Sequence, residues 1–326
     1  MASREPRFER AGRPTLRLLG TAAALALMCA ARPAAFGDPG HRIVGHVAEA
    51  HLAGTRALQE VRRILPPKET LAEAGLWADR VRTGTVDDPE AATFRLAHPA
   101  HESYHYTNVP FQATRYEPGA RGAHFTDIVR MTRECILVLR GRSDAFTRRE
   151  ALRLLAHYTG DIHQPLHVGN GFVAADGPLR FVVPDGPAGW RQTLGGNALR
   201  YGPNDNFSLH GYWDAHVVNL LLRKGDPASF AQRIVRELAP DAAWRTAGDV
   251  DGWPAHWATE VLPIAREAYE GITLTEYLGH DERRGVAQRW RITQRPGYDA
   301  MATARVRVQL ARAGYRLAAV LRAIWP

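Results

Sequence analysis

Two copies of one spacing, His157-x-x-x-Asp161 and His210-x-x-x-Asp214, stand out in this chain. Each falls in a segment with a helical pattern. Residues four apart on a helix project from the same face, one turn apart. A histidine and a carboxylate held that way can both reach one borderline metal ion, and zinc takes nitrogen and oxygen ligands of this kind. One such pair alone is more often a solvated helix pair. Here the first pair runs on into His163-Gln164-Pro165-Leu166-His167. Further candidates are His41 after Gly40, Asp79 in Trp77-Ala78-Asp79-Arg80-Val81-Arg82, and His105 in Tyr104-His105-Tyr106. Eight side chains (His41, Asp79, His105, His157, Asp161, His167, His210 and Asp214) are too many for one ion. They suit a cluster of two or three, bridged by shared carboxylates and water.

The elements that must position these residues read mainly as helices. Ile43, Val44, Val47, Ala48 and Leu52 give an apolar face just after His41. Amphipathic segments are expected over Leu71 to Val81 and Thr126 to Leu139. Thr147 to Ile162 reads as a long helix, with Thr147 and Glu150 at capping-box spacing and Pro165 ending it. Leu209 to Leu222, Pro254 to Tyr269 and Met301 to Ile324 complete the set. Between Val168 and Phe207 glycine and proline are dense, and Phe181-Val182-Val183 is the only strand-like run. This stretch reads as a long loop or small hairpin, and loops of that length are often functional. No internal repeat or linker divides the chain. The expectation is one all-α domain.

The composition is that of an ordinary globular protein, 45% hydrophobic and 23% charged over 326 residues. Residues 1–35 read as a secretory signal peptide: a basic stretch, an apolar run from Leu18 to Ala31, then Pro33-Ala34-Ala35. The run is short for a membrane span, so an uncleaved anchor is the weaker reading. The leader holds six arginines and two glutamates, so its removal lowers the net charge of +8 to about +4. Cys29 would leave with it, and Cys135 would remain alone in an apolar helix as a buried structural thiol. With no disulfide, stability must come from the core and bound metal.

In combination and order these motifs resemble the zinc-dependent, single-strand-specific nucleases of the mung-bean nuclease type, also called type I nucleases or nuclease/3′-nucleotidases. The resemblance runs from Phe36 to Gly314-Tyr315-Arg316-Leu317-Ala318. It rests on Gly-His, Trp-Ala-Asp-x-x-Arg, Tyr-His-Tyr, His-x-x-x-Asp-x-His-Gln-Pro-Leu-His and Leu-His-x-x-Trp-Asp. It implies a mostly helical domain over 36–326 with three Zn2+ in a cleft. One zinc would be held by Asp79, His105, His157 and Asp161. A second would share Asp161 and add His41 with the α-amino group and carbonyl of Phe36, freed by cleavage after Ala35. A third would be held by His167, His210 and Asp214. Cleavage after Ala31 would leave four extra residues and remove the amino ligand.

The implied activity is hydrolysis of the P–O3′ bond in single-stranded DNA and RNA, leaving 5′-phosphates, together with 3′-nucleotidase activity. Asp79 would orient the attacking hydroxide, and Arg82 would stabilise the charged transition state. Tyr106 stands at the position of a base-stacking aromatic, and stacking needs an unpaired base. Asn108 stands where some members carry a base-binding Asp, Phe36 where Trp is usual, and Ser208 where Asn is common. An exported protein, secreted or periplasmic, is expected, monomeric and without an anchor after processing. Zinc phospholipases C share the metal scaffold, so the ligands alone leave that activity open, as they do a non-catalytic metal-binding protein. His163, six residues after His157 and on the opposite helix face, reads as structural. Trp77 and Trp213 read as core, and Trp190 as either substrate contact or core cover.

Overall fold

A computed structural model describes residues 36–326 apart from 87–88, 187 and 282–285. The leader and Cys29 lie outside the described residues. At the centre is the helix Arg148–Asp161, the ligand helix. It starts with the expected capping box: the Thr147 side chain accepts from the Glu150 amide, and Glu150 accepts from the Thr147 amide. Every residue from Glu150 to Asp161 is buried. A helix buried on all sides can hold polar side chains only where other elements bring them partners.

Those elements surround it. The first helix, Gly37–Leu52, and the C-terminal helix Tyr298–Ile324 both pack on the ligand helix and on each other. The first and last helices touch closely, because a Cβ on Gly314 would lie 2.4 Å from the Val47 side chain. Helix Ile128–Leu139 also packs on the ligand helix, and helix Trp253–Glu270 packs on Ile128–Leu139 and on the short helix Pro165–Val168. Asp127 caps the former through the Arg130 amide, so it starts two residues later than Thr126. Cys135 is fully buried, and burial pushes its thiol well up. Among the described residues, no helix is long and apolar enough to cross a membrane.

Two expected helices are broken, and each break serves the site. The segment from Leu71 to Val81 forms two short helices, Leu71–Ala74 and Trp77–Thr83, parted at Gly75. The stretch from Leu209 to Leu222 is interrupted by a π-helical turn at Tyr212–His216, which carries Asp214. Such turns are frequent at functional sites.

The fold is mostly helical but not all-α. A long hairpin, Ile272–Asp281 with Val286–Gln294, joins Leu199–Tyr201 and Phe207–Ser208 in a four-stranded sheet. Trp290 and Ile292 alternate into the core from this hairpin. Arg289-Trp290-Arg291-Ile292 shows that alternation in the sequence, over only four residues. The long loop does hold a small hairpin, but Phe172–Ala174 pairs with Trp190–Gln192. Phe181 contributes only one bridge, to Val173.

Candidate metal centre

The eight candidate side chains converge from five separate parts of the chain and are all buried. They fall into three groups whose ligand atoms lie within 4.8 Å of one another: His41, His157 and Asp161; Asp79, His105 and His157; and His167, His210 and Asp214. Asp161 touches both of the first two. Its Oδ1 lies 3.2 Å from His41 Nε2, and its Oδ2 lies 3.0 Å from His157 Nε2 and 3.2 Å from His105 Nδ1. The His41 and His157 rings stack at 3.9 Å.

Three imidazoles have one nitrogen committed to backbone. Nδ1 of His157 donates to Gly75 O at 2.6 Å, that of His167 to His105 O at 2.6 Å, and that of His210 to Gly195 O at 2.8 Å. In a neutral ring Nε2 then carries the lone pair. These Nε2 atoms face carboxylates: His210 Nε2 is 3.0 Å from Asp214 Oδ2, and His167 Nε2 is 3.8 Å from Asp214 Oδ1. Lone pairs and carboxylates that face each other in a dry pocket call for cations between them. Both His41 nitrogens, Asp79 Oδ2, Asp161 Oδ1, His167 Nε2 and Asp214 Oδ2 are buried without a hydrogen-bond partner. The donor set, imidazole nitrogen and carboxylate oxygen, is that of zinc.

The electrostatics agree. Burial would raise the Asp79 and Asp161 carboxyls, but their histidine and arginine neighbours outweigh it. His157, Arg82 and His105 hold Asp79 below the usual range, and His157 and His167 hold Asp161 well below it. Burial opposes charge on His157, yet Asp161 and Asp79 draw it up to about 9. The pocket therefore pulls positive charge in. His105 is pushed down to about 3, by burial first and by Arg82 second.

Arg82 forms an ion pair with Asp79 at 2.8 Å, and its field also reaches His210. It stands beside the cluster without belonging to any ligand group. Phe36 is fully buried with a left-handed backbone. Its amide donates to Asp214 Oδ1 at 3.3 Å, and its carbonyl accepts from Gly40. Phe36 thus meets the group at Asp214, where the resemblance implies the one at His41. Tyr106 is 38% exposed next to His105, and Asn108 is half-buried with its amide on Gly122 O. Ser208 caps the short helix that carries His210.

His163 is fully buried with both ring nitrogens engaged. Nδ1 donates to Thr159 O at 2.7 Å, and Nε2 lies 3.2 Å from Arg316 Nη1. Gln309 of the C-terminal helix also donates to the His163 carbonyl at 2.9 Å. Trp77 and Trp213 are core residues. Trp190 is half-buried, edge-on to Phe172 and beneath the Arg121 guanidinium at 5.3 Å.

Reading residue types alone missed several supports. Gln164 Nε2 donates to Asp214 Oδ1 at 2.6 Å, and so ties the two His-x-x-x-Asp elements together. Asn170 Oδ1 accepts from the Gly195 amide, which fixes the carbonyl that orients His210. Gly160 leaves room for the His41 ring: a Cβ there would lie 2.8 Å from His41 Nδ1. Gln164 and Gly160 do lie inside the quoted ligand motif. Gly160→Ala is expected to displace His41 and lower metal affinity at that group about 10–100-fold, the range for disturbed ligand support. Metal content against free-zinc concentration measures this, and unchanged affinity would disprove the packing role.

Comparison with known proteins places the chain among nucleases. The family model described as S1/P1 Nuclease matches residues 36–326. Endonuclease 2 of Arabidopsis thaliana is 25% identical over 260 residues, 73% of this chain and 78% of that protein. Endonuclease 3 of the same plant is 23% identical over 271 residues, 74% and 79% of the two chains. Endonuclease 1 is 24% identical over 294 residues, 82% and 85%.

Proposed function

Because this chain belongs to the S1/P1 nuclease family and is a phosphodiester hydrolase, we infer that it is an exported nuclease of single-stranded DNA and RNA carrying three zinc ions. The observation that supports this most is the set of buried, inward-facing lone pairs and carboxylates in three adjoining groups. His41, Asp79, His105, His157, Asp161, His167, His210 and Asp214 would hold the metals, Asp161 serving two of them. Bound zinc supplies acidified water as the nucleophile and neutralises phosphate charge.

The chain's own residues do the rest. Asp79 orients the attacking oxygen toward phosphorus. Arg82 meets the phosphate oxygens with a planar, permanently charged fork. Tyr106 stacks on an unpaired base, and Asn108 offers that base an amide edge. P–O3′ bonds break, 5′-phosphates remain, and 3′-nucleotides lose their phosphate at the same site. Export requires removal of residues 1–35. A cut before Phe36 would place its new amino group, already buried against Asp214, among the ligands. The product would be a secreted or periplasmic monomer.

The test is metal content and turnover on one sample of purified mature protein. Acid-soluble 5′-nucleotides should appear from single-stranded DNA and RNA much faster than from duplex. A chelator should lower the rate by at least about 10³-fold, since bound metal contributes several kcal/mol to the transition state. Added zinc should restore it. Cleavage of phosphatidylcholine without nucleotide release would favour a phospholipase. Bound zinc with no phosphoester hydrolysis would favour a binding protein.

A further inference from the structure

Residues 153, 157 and 161 lie four apart on one stripe of the ligand helix. His157 and Asp161 belong to the metal groups, and Arg153 does not. Its side chain is only 10% exposed. Nε and Nη2 donate to the two oxygens of Glu69 at 2.8 and 2.7 Å, and Nη1 donates to Glu90 Oε2 at 2.7 Å. The guanidinium also lies over the Trp77 ring at 5.4 Å, and Trp77 meets Phe94 edge-on at 5.1 Å.

Glu69 precedes and Glu90, in the helix Pro89–Ala97, follows the arm 71–86, which carries Gly75, Asp79 and Arg82. That arm is built on two helices of four and seven residues, too short to hold their shape alone. It is fastened to the ligand helix at successive turns. Arg153 grips both flanks, and His157 Nδ1 holds Gly75 O at the break between the helices. Asp79 then reaches the metal group next to Asp161. One helix therefore carries two ligands and the clasp for the arm that brings a third.

We propose that Arg153 is a positioning residue, which sets the distance of Asp79 and Arg82 from the ligands on its own helix. This rests on the reading of Asp79 as a ligand and Arg82 as the phosphate-facing cation. A lysine keeps the charge but cannot grip two carboxylates with a planar fork.

The test uses the mature chain loaded with zinc for rates and with cobalt for spectra. Arg153→Lys is expected to lower kcat on a single-stranded oligonucleotide about tenfold, as loss of ligand support does, with KM little changed. In an Arg82→Ala background the same change should lower kcat less than it does alone, the remainder being the loss through Asp79. The cobalt absorption bands should move toward those of Asp79→Asn. Equal losses in both backgrounds, or cobalt bands like wild type, would overturn the proposal. If Arg153→Lys does not fold, Glu69→Gln and Glu90→Gln each release one flank and should show the same non-additivity, and additive behaviour overturns it. A wild-type enzyme that cuts no nucleic acid ends the nuclease reading and leaves the cobalt comparison to decide on Arg153.

Discussion

Asp161→Ala is expected to empty two metal groups at once and to abolish turnover. Asp161 is fully buried and uses both oxygens, one toward His41 and the other toward His105 and His157. Without it, three imidazoles face one another with too little negative charge to hold two dications. Zinc content should fall by two ions per chain, and activity by about 10³-fold or more, the scale on which bound metal contributes several kcal/mol. Asp161→Asn keeps the shape and one good acceptor, so it should retain more metal than the alanine variant. Elemental analysis after dialysis, alongside a rate measurement, decides the matter. Full zinc content in Asp161→Ala would remove Asp161 from its bridging role.

Arg82→Ala should behave in the opposite sense, with metal kept and rate lost. Arg82 pairs with Asp79 and its charge is felt by both His105 and His210, members of two of the three groups. A fixed guanidinium there can meet charge that grows on phosphate oxygens without rearranging. Loss of one such donor lowers kcat about 10²–10³-fold. Arg82→Lys should recover only part, since an ammonium lacks the paired donors. Single-turnover rates at saturating substrate, with zinc measured on the same sample, separate the two effects. A rate loss matched by zinc loss would make Arg82 a support for Asp79 rather than a partner of phosphate.

The cluster of candidate ligands was legible because metal chemistry restricts residue type and helices restrict spacing. Both His-x-x-x-Asp pairs hold their contact at 3.0 Å, although the second is wound as a π turn. The capping box of the ligand helix was legible for the same local reason. The supports were not. Arg153 meets partners 84 and 63 residues away, and Gln164 meets Asp214 fifty residues on. Nothing local marks such pairs. The break at Gly75 also depends on tertiary structure, since its carbonyl turns to a histidine 82 residues later. The long hairpin escaped because, among its described residues, Ile272, Trp290 and Ile292 report the buried side, and they are too few and too far apart in sequence to make a long alternating run. The twin pairs also proved unequal. Asp161 serves two groups, whereas Asp214 spends one oxygen on Gln164 and the Phe36 amide.

The C-terminal helix sets a timetable for synthesis. Gln309 and Arg316 brace His163, inside the turn between Asp161 and His167, and Gly314 receives the first helix against Val47. The chain emerges in order, and those residues come late. A nascent chain can carry all eight ligands and still lack the brace that fixes them. Competent metal uptake is therefore expected only after the helix Tyr298–Ile324 has been made and has docked.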